Sequence, residues 1–460
     1  MTSLRFTLNG RDVDASGADP NQTLLSWLRE QGLTGSKEGC AEGECGACAV
    51  LLVADGNEGE ARYVPVNSCL FLLASATGRE IVTVEGIAQR GVLHPVQEAM
   101  VRLGGSQCGY CTPGFIVSLF AEYYRKGRAT GGFDVDSIAG NLCRCTGYRP
   151  IRDAGRSLPT VSDDDPHGAR LRSPAPKTTS VRYEGASRLY FRPTSLAEAF
   201  DCLAAHPELT VVAGGTDRVV ELNQRLRRLD GILSLEAVEE LRVFCDAQDA
   251  LTIGAGVPLS EIEDRLDGVL PILEELLPLF SSRLIRNRAT LGGNLATASP
   301  IGDSPPVLLA LDAEVIVASA ERERTIPIDD LFTGYRKTSL TKGELIVAVR
   351  IQKPFPTVGR FFKVSKRKHD DISTVAAGFS LRLERGVVKS ARLAYGGVAA
   401  TPARAKDAEA ALEGERWSEA SVANARTLLA TAFTPMTDQR GSARYRAAMV
   451  TSLLDRLWAE

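Results

Sequence analysis

Cysteine placement constrains this chain more than any other feature of its sequence. Eight of the ten cysteines lie between Cys40 and Cys145, and only Cys202 and Cys245 stand apart. A small secreted fold held by disulfides would spread its cysteines over a short chain. Here they gather in the first third of 460 residues, which predicts metal or redox chemistry. Cys202 and Cys245 match no motif and are expected to be buried apolar thiols.

The first cysteine group has the spacing of a plant-type [2Fe–2S] ferredoxin. Cys40, Cys45 and Cys48 form a C-x4-C-x2-C pattern, and Cys69 supplies a distant fourth thiol. Glycines within this stretch let the backbone bend sharply, and their amides can approach the cluster sulfurs. Structural zinc is the alternative, but zinc sites usually pair two short C-x2–4-C motifs. The spacing therefore favours an iron–sulfur cluster.

The second group is more compact. Cys108 and Cys111 form C-x2-C, and Cys143 and Cys145 form C-x-C. The first pair alone resembles a thioredoxin-type redox motif, but no strand precedes it and a second pair follows. Four thiols also suit zinc, which is the stronger rival here. We favour a second [2Fe–2S] cluster in a helical setting.

Local patterns outline a small α+β unit followed by helices. Asn9-Gly10 between two alternating runs predicts a hairpin. Thr23–Gln31 is predicted to be a helix, whereas 49–53 and 81–84 are predicted strands. Thr112-Pro113 is predicted to cap a helix whose apolar stripe packs against its neighbours.

Charge and hydropathy exclude other classes. Lys and Arg total 54 against 57 Asp and Glu, so a phosphate-neutralising nucleic-acid binder is not expected. No apolar run reaches the roughly 18 residues of a membrane span, and no secretory signal is visible. The cytoplasm is the expected compartment.

Two glycine-rich segments could bind a phosphorylated cofactor through backbone amides. A β-rich run ends in Gly214-Gly215-Thr216, before a predicted helix from Asp217, and Gly292-Gly293 lies in a second stretch of small residues. Neither has the G-x-G-x-x-G pattern, so a Rossmann fingerprint is not predicted. A mixed-charge run at 366–371 is typical of a solvated loop.

Together these motifs resemble the molybdenum hydroxylases, the xanthine oxidase family. The resemblance rests on the eight-cysteine pattern, on Gln107–Gly114 and Asn141–Arg149, on Val211–Asp217 and Ile285–Asp303, and on Gly334–Thr338. It covers nearly the whole chain and is most similar to the iron–sulfur and FAD subunit of bacterial xanthine dehydrogenases.

The resemblance implies the domains and the fold. It implies a β-grasp plant-type ferredoxin domain at 1–86, an all-α helical-bundle [2Fe–2S] domain at 87–158, a linker at 159–180, a two-part α+β FAD-binding domain at 181–345 and a C-terminal α+β domain at 346–460. The class is multidomain α+β.

The resemblance also implies the site residues. Those implied to bind FAD are Val211, Val212, Ala213, Gly214, Gly215, Thr216, Asp217, Arg218, Phe280, Thr290, Leu291, Gly292, Gly293, Asn294, Thr297, Ser299, Asp303, Ile346 and Lys363. Gln107 is implied to touch the pterin at the partner interface. Those implied to lie on the NAD side are Tyr335, Lys366, Arg367 and Asp370.

The implied activity is electron transfer. Purine (hypoxanthine or xanthine) is oxidised at molybdenum on a large molybdopterin-binding partner. Electrons pass through the cluster of Cys108, Cys111, Cys143 and Cys145, then that of Cys40, Cys45, Cys48 and Cys69, to FAD and NAD+. No molybdenum site or catalytic residue is found in this chain, and a two-fold heterotetramer is expected. Alternatives are the same relay for aldehydes, carbon monoxide or other N-heterocycles, a stand-alone flavin and iron–sulfur reductase, and a zinc-bearing scaffold.

Overall fold

The computed structural model describes residues 3–56 and 59–460. Within them the chain divides into two compact units. The first contains the described residues up to Val238 and also Ser282–Ala289, whereas the second contains Glu239–Ser281 and Thr290–Glu460. The predicted multidomain α+β class is confirmed.

The N-terminal part of the first unit is a β-grasp sheet in the order β2-β1-β5-β3-β4. Asn9 and Gly10 have φ of 51° and 76°, as a two-residue turn of type I′ requires, so the predicted hairpin is confirmed. Thr23 caps the helix by accepting the Ser26 N–H. The elements are β1 (Arg5–Leu8), β2 (Arg11–Asp14), α1 (Leu24–Glu30), β3 (Ala49–Asp55), β4 (Ala61–Asn67) and β5 (Glu80–Val82).

Short helices form the next part of this unit. They are α2 (Pro95–Arg102), α3 (Thr112–Tyr123), α4 (Arg128–Gly131) and α5 (Arg149–Arg156). The predicted apolar stripe is confirmed, since Phe115 and Phe120 on α3 are fully buried. The predicted cap is wrong by one residue: Cys111 is the N-cap, and the Thr112 hydroxyl instead bonds the Ser106 hydroxyl at 2.8 Å.

The stretch 159–180, predicted to be a linker, contains helix α6 (Pro166–Leu171). Asp165 caps it by accepting the Gly168 N–H at 2.7 Å and also accepts the Tyr124 hydroxyl at 2.8 Å. His167 is buried. An aspartate cap followed by proline is a helix-start signal that the lack of periodicity around it concealed.

A four-stranded sheet with the order β6-β7-β9-β8 completes the first unit. β7, β9 and β8 are parallel, and β6 pairs antiparallel with β7. The predicted strand and helix on either side of Gly214-Gly215 are confirmed. The elements are β6 (Val181–Gly185), β7 (Arg188–Arg192), α7 (Leu196–Ala205), β8 (Thr210–Val212), α8 (Arg218–Arg225) and β9 (Gly231–Ser234).

The second unit begins with a five-stranded antiparallel sheet, in the order β10-β11-β16-β12-β13. Its last strand in sequence, β16, starts at Leu345, so this sheet continues past the predicted boundary at residue 345. The elements from Glu239 to Gln352 are β10 (Phe244–Asp246), β11 (Ala250–Gly254), α9 (Leu259–Leu266), α10 (Pro271–Leu276), α11 (Arg283–Arg286, which belongs to the first unit), α12 (Leu291–Thr297), α13 (Ser304–Ala310), β12 (Glu314–Ala318), β13 (Glu323–Pro327), α14 (Ile328–Leu331), β14 (Phe332–Gly334), β15 (Lys337–Thr338) and β16 (Leu345–Gln352).

The rest of the second unit is an antiparallel sheet of four strands covered by helices. Its core contains Phe379 and Tyr395 from the sheet and Leu454 from the last helix. Strands and helices together give this part the α+β composition that the resemblance implies. The elements are β17 (Val358–Val364), β18 (Val375–Glu384), β19 (Val387–Gly396), β20 (Ala403–Arg404), α15 (Lys406–Leu412), α16 (Glu419–Leu429) and α17 (Ala443–Ala459).

The two isolated cysteines differ from expectation. Cys202 on α7 is half-buried, and Cys245 is exposed. Cys245 lies on β10, the edge strand of its sheet, so the prediction of a buried thiol is wrong there. Among the described residues, no helix combines the length and apolarity needed to cross a membrane.

Candidate electron-transfer site

The first cysteine loop brings its thiols together in two pairs. Cys48 Sγ and Cys69 Sγ are hydrogen-bonded at 3.3 Å, and a second thiol–thiol hydrogen bond joins Cys45 to Cys40. All four cysteines are free, and Cys48 and Cys69 are buried. A two-iron cluster takes two protein ligands on each iron, so two adjacent thiol pairs fit its donor set.

In each pair, the pKa of one thiol is lowered and that of the other is raised. The hydrogen bond from Cys45 lowers the pKa of Cys40 to about 5, and it raises the pKa of the donor Cys45. The hydrogen bond from Cys69 likewise lowers the pKa of Cys48, whereas the pKa of Cys69 rises well above its usual range. Metals bind the thiolate, so a lowered pKa at one sulfur of each pair acts in the direction that favours metal binding.

Backbone conformation keeps the loop tightly wrapped. Gly43 and Gly46 have φ of 87° and 63°, and Ala41 also lies in the left-handed region at 56°, which is uncommon for a residue with a side chain. The N–H groups of Glu42 and Cys45 donate to Cys40 Sγ at 3.5 and 3.4 Å. Such N–H···S bonds are among the factors that set the potential of an iron–sulfur cluster.

In the second cysteine group, each thiol of the C-x2-C motif is hydrogen-bonded to a thiol of the C-x-C motif. Cys108 bonds Cys145, and Cys111 bonds Cys143. Burial, then donation to Cys143, raises the pKa of Cys111 to about 12. Burial acts to raise the pKa of Cys143 too, but hydrogen bonds from the hydroxyl and N–H of Thr146 outweigh it and lower that pKa.

The remaining pair of the second loop lies at the surface. Cys108 and Cys145 are exposed. The Tyr110 N–H, followed by the Cys145 thiol, lowers the pKa of Cys108, and donation to Cys108 raises the pKa of Cys145. The second loop therefore also offers two thiol pairs, one of them in contact with solvent.

The two loops are packed backbone to backbone. The Leu142 N–H donates to the Cys45 carbonyl at 3.0 Å, and the Asn141 side chain donates to the Gly46 carbonyl at 3.2 Å. A Cβ at Gly46 would lie 2.3 Å from the Gly140 carbonyl oxygen. Only glycine fits at position 46. The Leu142–Cys45 bond joins a predicted ligand of the first cluster to the residue that precedes Cys143, a predicted ligand of the second.

The pairing of the thiols shows whether the eight cysteines fit two [2Fe–2S] clusters. In residues 3–56 and 59–460, no three His, Cys, Asp or Glu side chains are placed to hold a metal ion. The thiols meet two by two, with N–H donors around the sulfurs. The residues that would hold the two [2Fe–2S] clusters are the eight predicted cysteines.

The first predicted flavin segment is a tight turn between β8 and α8. Gly215 has a φ of 83°, and its carbonyl accepts the Val219 N–H at 2.9 Å. A Cβ at Gly214 would lie 1.8 Å from the Arg288 carbonyl oxygen. The structure thus places the predicted residues 211–218 on one strand, one glycine turn and the start of one helix.

The second predicted flavin segment belongs to the second unit. Thr290 caps α12 by accepting the Gly293 N–H at 3.0 Å. The Gly292 N–H donates to the Ala255 carbonyl, also at 3.0 Å, and a Cβ on Gly292 would meet the Ala255 side chain at 2.5 Å. Both glycine amides thus have acceptors within the protein, and Gly292 allows close packing against Ala255. Leu291 and Asn294 lie on the same helix, and Thr297 ends it.

Two other predicted flavin residues of this unit, Lys363 and Asp303, form a buried ion pair. Lys363 Nζ lies 2.7 Å from Asp303 Oδ2, with the two side chains 2% and 9% exposed. Lys363 also donates to the Leu279 carbonyl, and Asp303 accepts the Ser373 hydroxyl. Phe280, the residue after Leu279, and Ser299 are half-buried, and Ile346 is buried on β16.

The residues predicted for the NAD side differ in exposure. Tyr335 is exposed between β14 and β15, and Lys366 and Arg367 are exposed. Asp370 is buried, where it accepts the Ser281 hydroxyl at 2.9 Å. Lys366 Nζ donates to the Gln439 carbonyl at 3.1 Å.

Sequence reasoning missed a buried charge cluster in the first unit. Three guanidinium groups surround the Glu236 carboxylate, at 2.7 Å for Arg288, 3.1 Å for Arg79 and 3.5 Å for Arg192. Burial acts to raise the pKa of Glu236, but the three arginines outweigh it and hold that pKa far below its usual range. The Arg288 guanidinium also lies 4.8 Å from the centre of the Phe71 ring. Nothing in the local sequence marks these four residues as neighbours.

The buried ion pair leads to a stability prediction. Replacing Lys363 by methionine leaves Asp303 charged and buried, and breaking a buried pair in this way costs about 3–5 kcal/mol. We expect a loss of that size in the free energy of unfolding, measured by urea denaturation. Lys353→Met removes a half-exposed pair with Asp246 and should cost no more than about 1 kcal/mol. Equal losses in the two variants would contradict the prediction.

Four family profiles match consecutive parts of the chain. A 2Fe-2S iron-sulfur cluster binding domain matches residues 6–74 and a [2Fe-2S] binding domain matches 83–156. The FAD binding domain in molybdopterin dehydrogenase matches 181–354, and the CO dehydrogenase flavoprotein C-terminal domain matches 360–460. The chain belongs to the molybdenum hydroxylase family. It carries the iron–sulfur and FAD electron-transfer region of that family.

Relatives with different named activities share this region. A xanthine dehydrogenase of Emericella nidulans is 31% identical over 91% of this chain and 35% of its own length. A nicotinate hydroxylase of the same organism is 30% identical over 99% of this chain and 40% of its own length. The chain thus spans little more than a third of the length of these curated relatives.

A solved structure supports the same assignment. Carbon monoxide dehydrogenase from Hydrogenophaga pseudoflava, in a form lacking the Mo-pyranopterin moiety of its cofactor, aligns with a TM-score of 0.56 and 27% identity. The alignment covers 61% of this chain and 96% of the matched chain. Molybdenum hydroxylases named for different substrates therefore share parts of this architecture.

Proposed function

We propose that this chain is the electron-transfer and NAD-reducing part of a molybdenum hydroxylase of the xanthine dehydrogenase type. Purine would be oxidised at molybdopterin on a partner subunit, and the electrons would leave as NADH. The observation that carries this proposal is the direct contact between the two cysteine loops, where the Leu142 N–H meets the Cys45 carbonyl. When bound, the clusters carry single electrons and FAD combines two of them into a hydride.

The exposure of the cysteines supports a direction for the relay. Cys108 and Cys145 lie at the surface, whereas Cys48 and Cys69 are buried. We assign the second group to the side facing the partner subunit and the first group to the interior. Gln107, Tyr110 and Leu142, each next in sequence to a cysteine of this group, are also exposed. Gln107 then marks the interface with the molybdopterin subunit.

The flavin residues are assigned by the family motif and by their setting. Residues 211–218 would hold the cofactor on the first unit. Those on the second unit would be Phe280, Thr290, Leu291, Gly292, Gly293, Asn294, Thr297, Ser299, Asp303, Ile346 and Lys363. The buried Lys363–Asp303 pair would keep its neighbourhood rigid and dry.

The NAD side of the proposal rests on the exposed cations Lys366 and Arg367. Because NAD+ carries a pyrophosphate, neutralising both cations in a Lys366→Gln/Arg367→Gln variant should weaken its binding. Loss of a charged hydrogen bond costs about 1.5–3 kcal/mol, so we expect the KM for NAD+ to rise at least about tenfold. The rate of flavin reduction by purine should stay unchanged. Unchanged NAD+ kinetics would contradict this assignment.

The purine substrate is favoured by relatives named xanthine dehydrogenase, and a second candidate has its own support. A similar electron-transfer region occurs in a relative that is named for a different substrate, nicotinate. Assaying the purified complex with xanthine, hypoxanthine, nicotinate and an aldehyde, each with NAD+, tests the choice. We expect the purines to give the highest kcat/KM. A higher kcat/KM for nicotinate or an aldehyde would contradict the purine substrate and favour another member of the family as the model for this complex.

The proposed assembly is a two-fold heterotetramer in the cytoplasm, made of two copies of this chain and two molybdopterin subunits. Sedimentation of the purified complex with the partner tests it. A mass equal to one copy of each chain would contradict the proposed symmetry.

A further inference from the structure

Helix α8 makes side-chain contacts that neither the flavin turn nor the cysteine motif accounts for. Asn223 Nδ2 donates to the Ala41 carbonyl at 2.8 Å and to the Cys69 carbonyl at 2.9 Å. Gln224 Nε2 donates to the Cys40 carbonyl at 2.9 Å. Two adjacent amides on one helix thus hold the carbonyls of two predicted cluster ligands and of the residue after one of them.

The same helix is fixed to the cluster loop by apolar packing. Val219 and Leu222 belong to one buried core with Cys48, Cys69 and Leu70. Side chains three residues apart on a helix share a face, so α8 has little freedom to rotate about its axis. Asn223 and Gln224, which follow Leu222 directly, are therefore held beside the loop.

The Asn223 bond reaches a cluster sulfur through one peptide. In a trans peptide the C=O and the following N–H point in opposite directions within one plane. Asn223 holds the Ala41 carbonyl, so the N–H of Glu42 points the other way, and that N–H donates to Cys40 Sγ at 3.5 Å. Fixing the carbonyl therefore orients an N–H···S bond.

The peptide that Asn223 holds is also strained. Ala41 has a φ of 56°, in a region that is unfavourable for a residue with a Cβ and persists only where the surroundings enforce it. The Asn223 bond to its carbonyl is one of the contacts that enforce it. Without that bond, the peptide can relax and the Glu42 N–H can turn away from the sulfur.

We infer that Asn223, supported by Gln224, is a positioning residue that sets the reduction potential of the cluster held by Cys40, Cys45, Cys48 and Cys69. The inference rests on the proposed ligand set. Helix α8 starts at Arg218, shortly after the Gly214-Gly215 turn. The same helix therefore connects the loop of the first cluster to the segment proposed to bind FAD. N–H···S bonds stabilise the added electron of a reduced cluster, so their loss lowers the potential.

Asn223→Ala in the holoenzyme tests the inference by a redox titration followed by EPR. Loss of one hydrogen bond changes an equilibrium constant by up to about tenfold. We therefore expect the oxidation equilibrium of the first cluster to shift up to about tenfold, or about 59 mV for one electron, toward lower potential. The signal of the second cluster serves as an internal reference and should not move. Gln224→Ala, at an exposed position, should give a smaller shift in the same direction even if Asn223→Ala does not fold.

A control variant separates this effect from general loosening. Arg188 forms an ion pair with Asp19 at 2.9 Å, so it also joins the ferredoxin-like part to the 181–238 part, but it touches no cysteine. Arg188→Ala should leave both potentials unchanged. An unchanged first-cluster potential in both α8 variants, or an equal shift in Arg188→Ala, would overturn the inference. Absence of one cluster signal from the unmodified protein would instead overturn the ligand set.

Discussion

Replacing Cys108 by serine is expected to disconnect this chain from its electron donor while leaving the NAD end intact. Substitution of residues that merely support metal ligands already costs 10–100-fold, so loss of a ligand should slow flavin reduction by substrate by more than about 100-fold. NADH should still reduce the flavin at the normal rate. The reason is structural: Cys108 and Cys145 are exposed at the surface, whereas Cys48 and Cys69 of the first loop are buried.

Stopped-flow absorbance on the complex, with xanthine in one experiment and NADH in the other, measures this effect. EPR of the reduced variant should lack the normal signal of the second cluster and keep that of the first. Cys202→Ser is the matched control, since Cys202 is a half-buried thiol on α7, and it should behave like the unmodified protein. Flavin reduction by xanthine at full rate in Cys108→Ser would show that the second loop is not the entry point.

Replacing Gly214 by alanine is expected to remove FAD. The added Cβ would lie 1.8 Å from the Arg288 carbonyl oxygen, and this neighbour is backbone, so the turn itself must move. Overpacking costs about 1–3 kcal/mol, and a displaced turn also loses its alignment with the cofactor. We expect FAD occupancy to fall about tenfold or more, since 1.4 kcal/mol corresponds to tenfold.

The ratio of FAD to iron in the purified protein measures that loss, because both cysteine loops should keep their clusters. Gly131→Ala is the control: it lies at the end of α4, and no atom lies within 4 Å of its added Cβ. That variant should keep its FAD. Full FAD occupancy in Gly214→Ala would mean that the 211–218 turn does not bind the cofactor.

Features encoded by local spacing could be predicted from the sequence. The β1–β2 hairpin follows from Asn9-Gly10 because its turn type depends on two residues. The cysteine loops could be predicted in the same way, because the number of residues between the thiols decides which metal cluster the loop can enclose. Helix α6 was missed because one aspartate–proline signal stood in a stretch without periodicity.

Contacts between distant parts of the chain could not be predicted. Asn223 bonds a carbonyl 182 residues away, and nothing near it in sequence distinguishes it from a solvated helix residue. The three arginines around Glu236 come from three separated segments. The glycines show the same limit: Gly214 and Gly292 were assigned to ligand approach, whereas the structure shows close packing against Arg288 and Ala255.

The central claim is that two iron–sulfur clusters and a flavin in this chain connect a molybdenum site to NAD+. The most direct test is the anaerobic visible and EPR spectrum of the purified complex after addition of xanthine, and separately of NADH. We predict that each reductant bleaches the flavin and iron–sulfur bands and produces two distinct [2Fe–2S] signals. A complex that lacks these bands, or one whose clusters remain oxidised after both additions, would contradict the account.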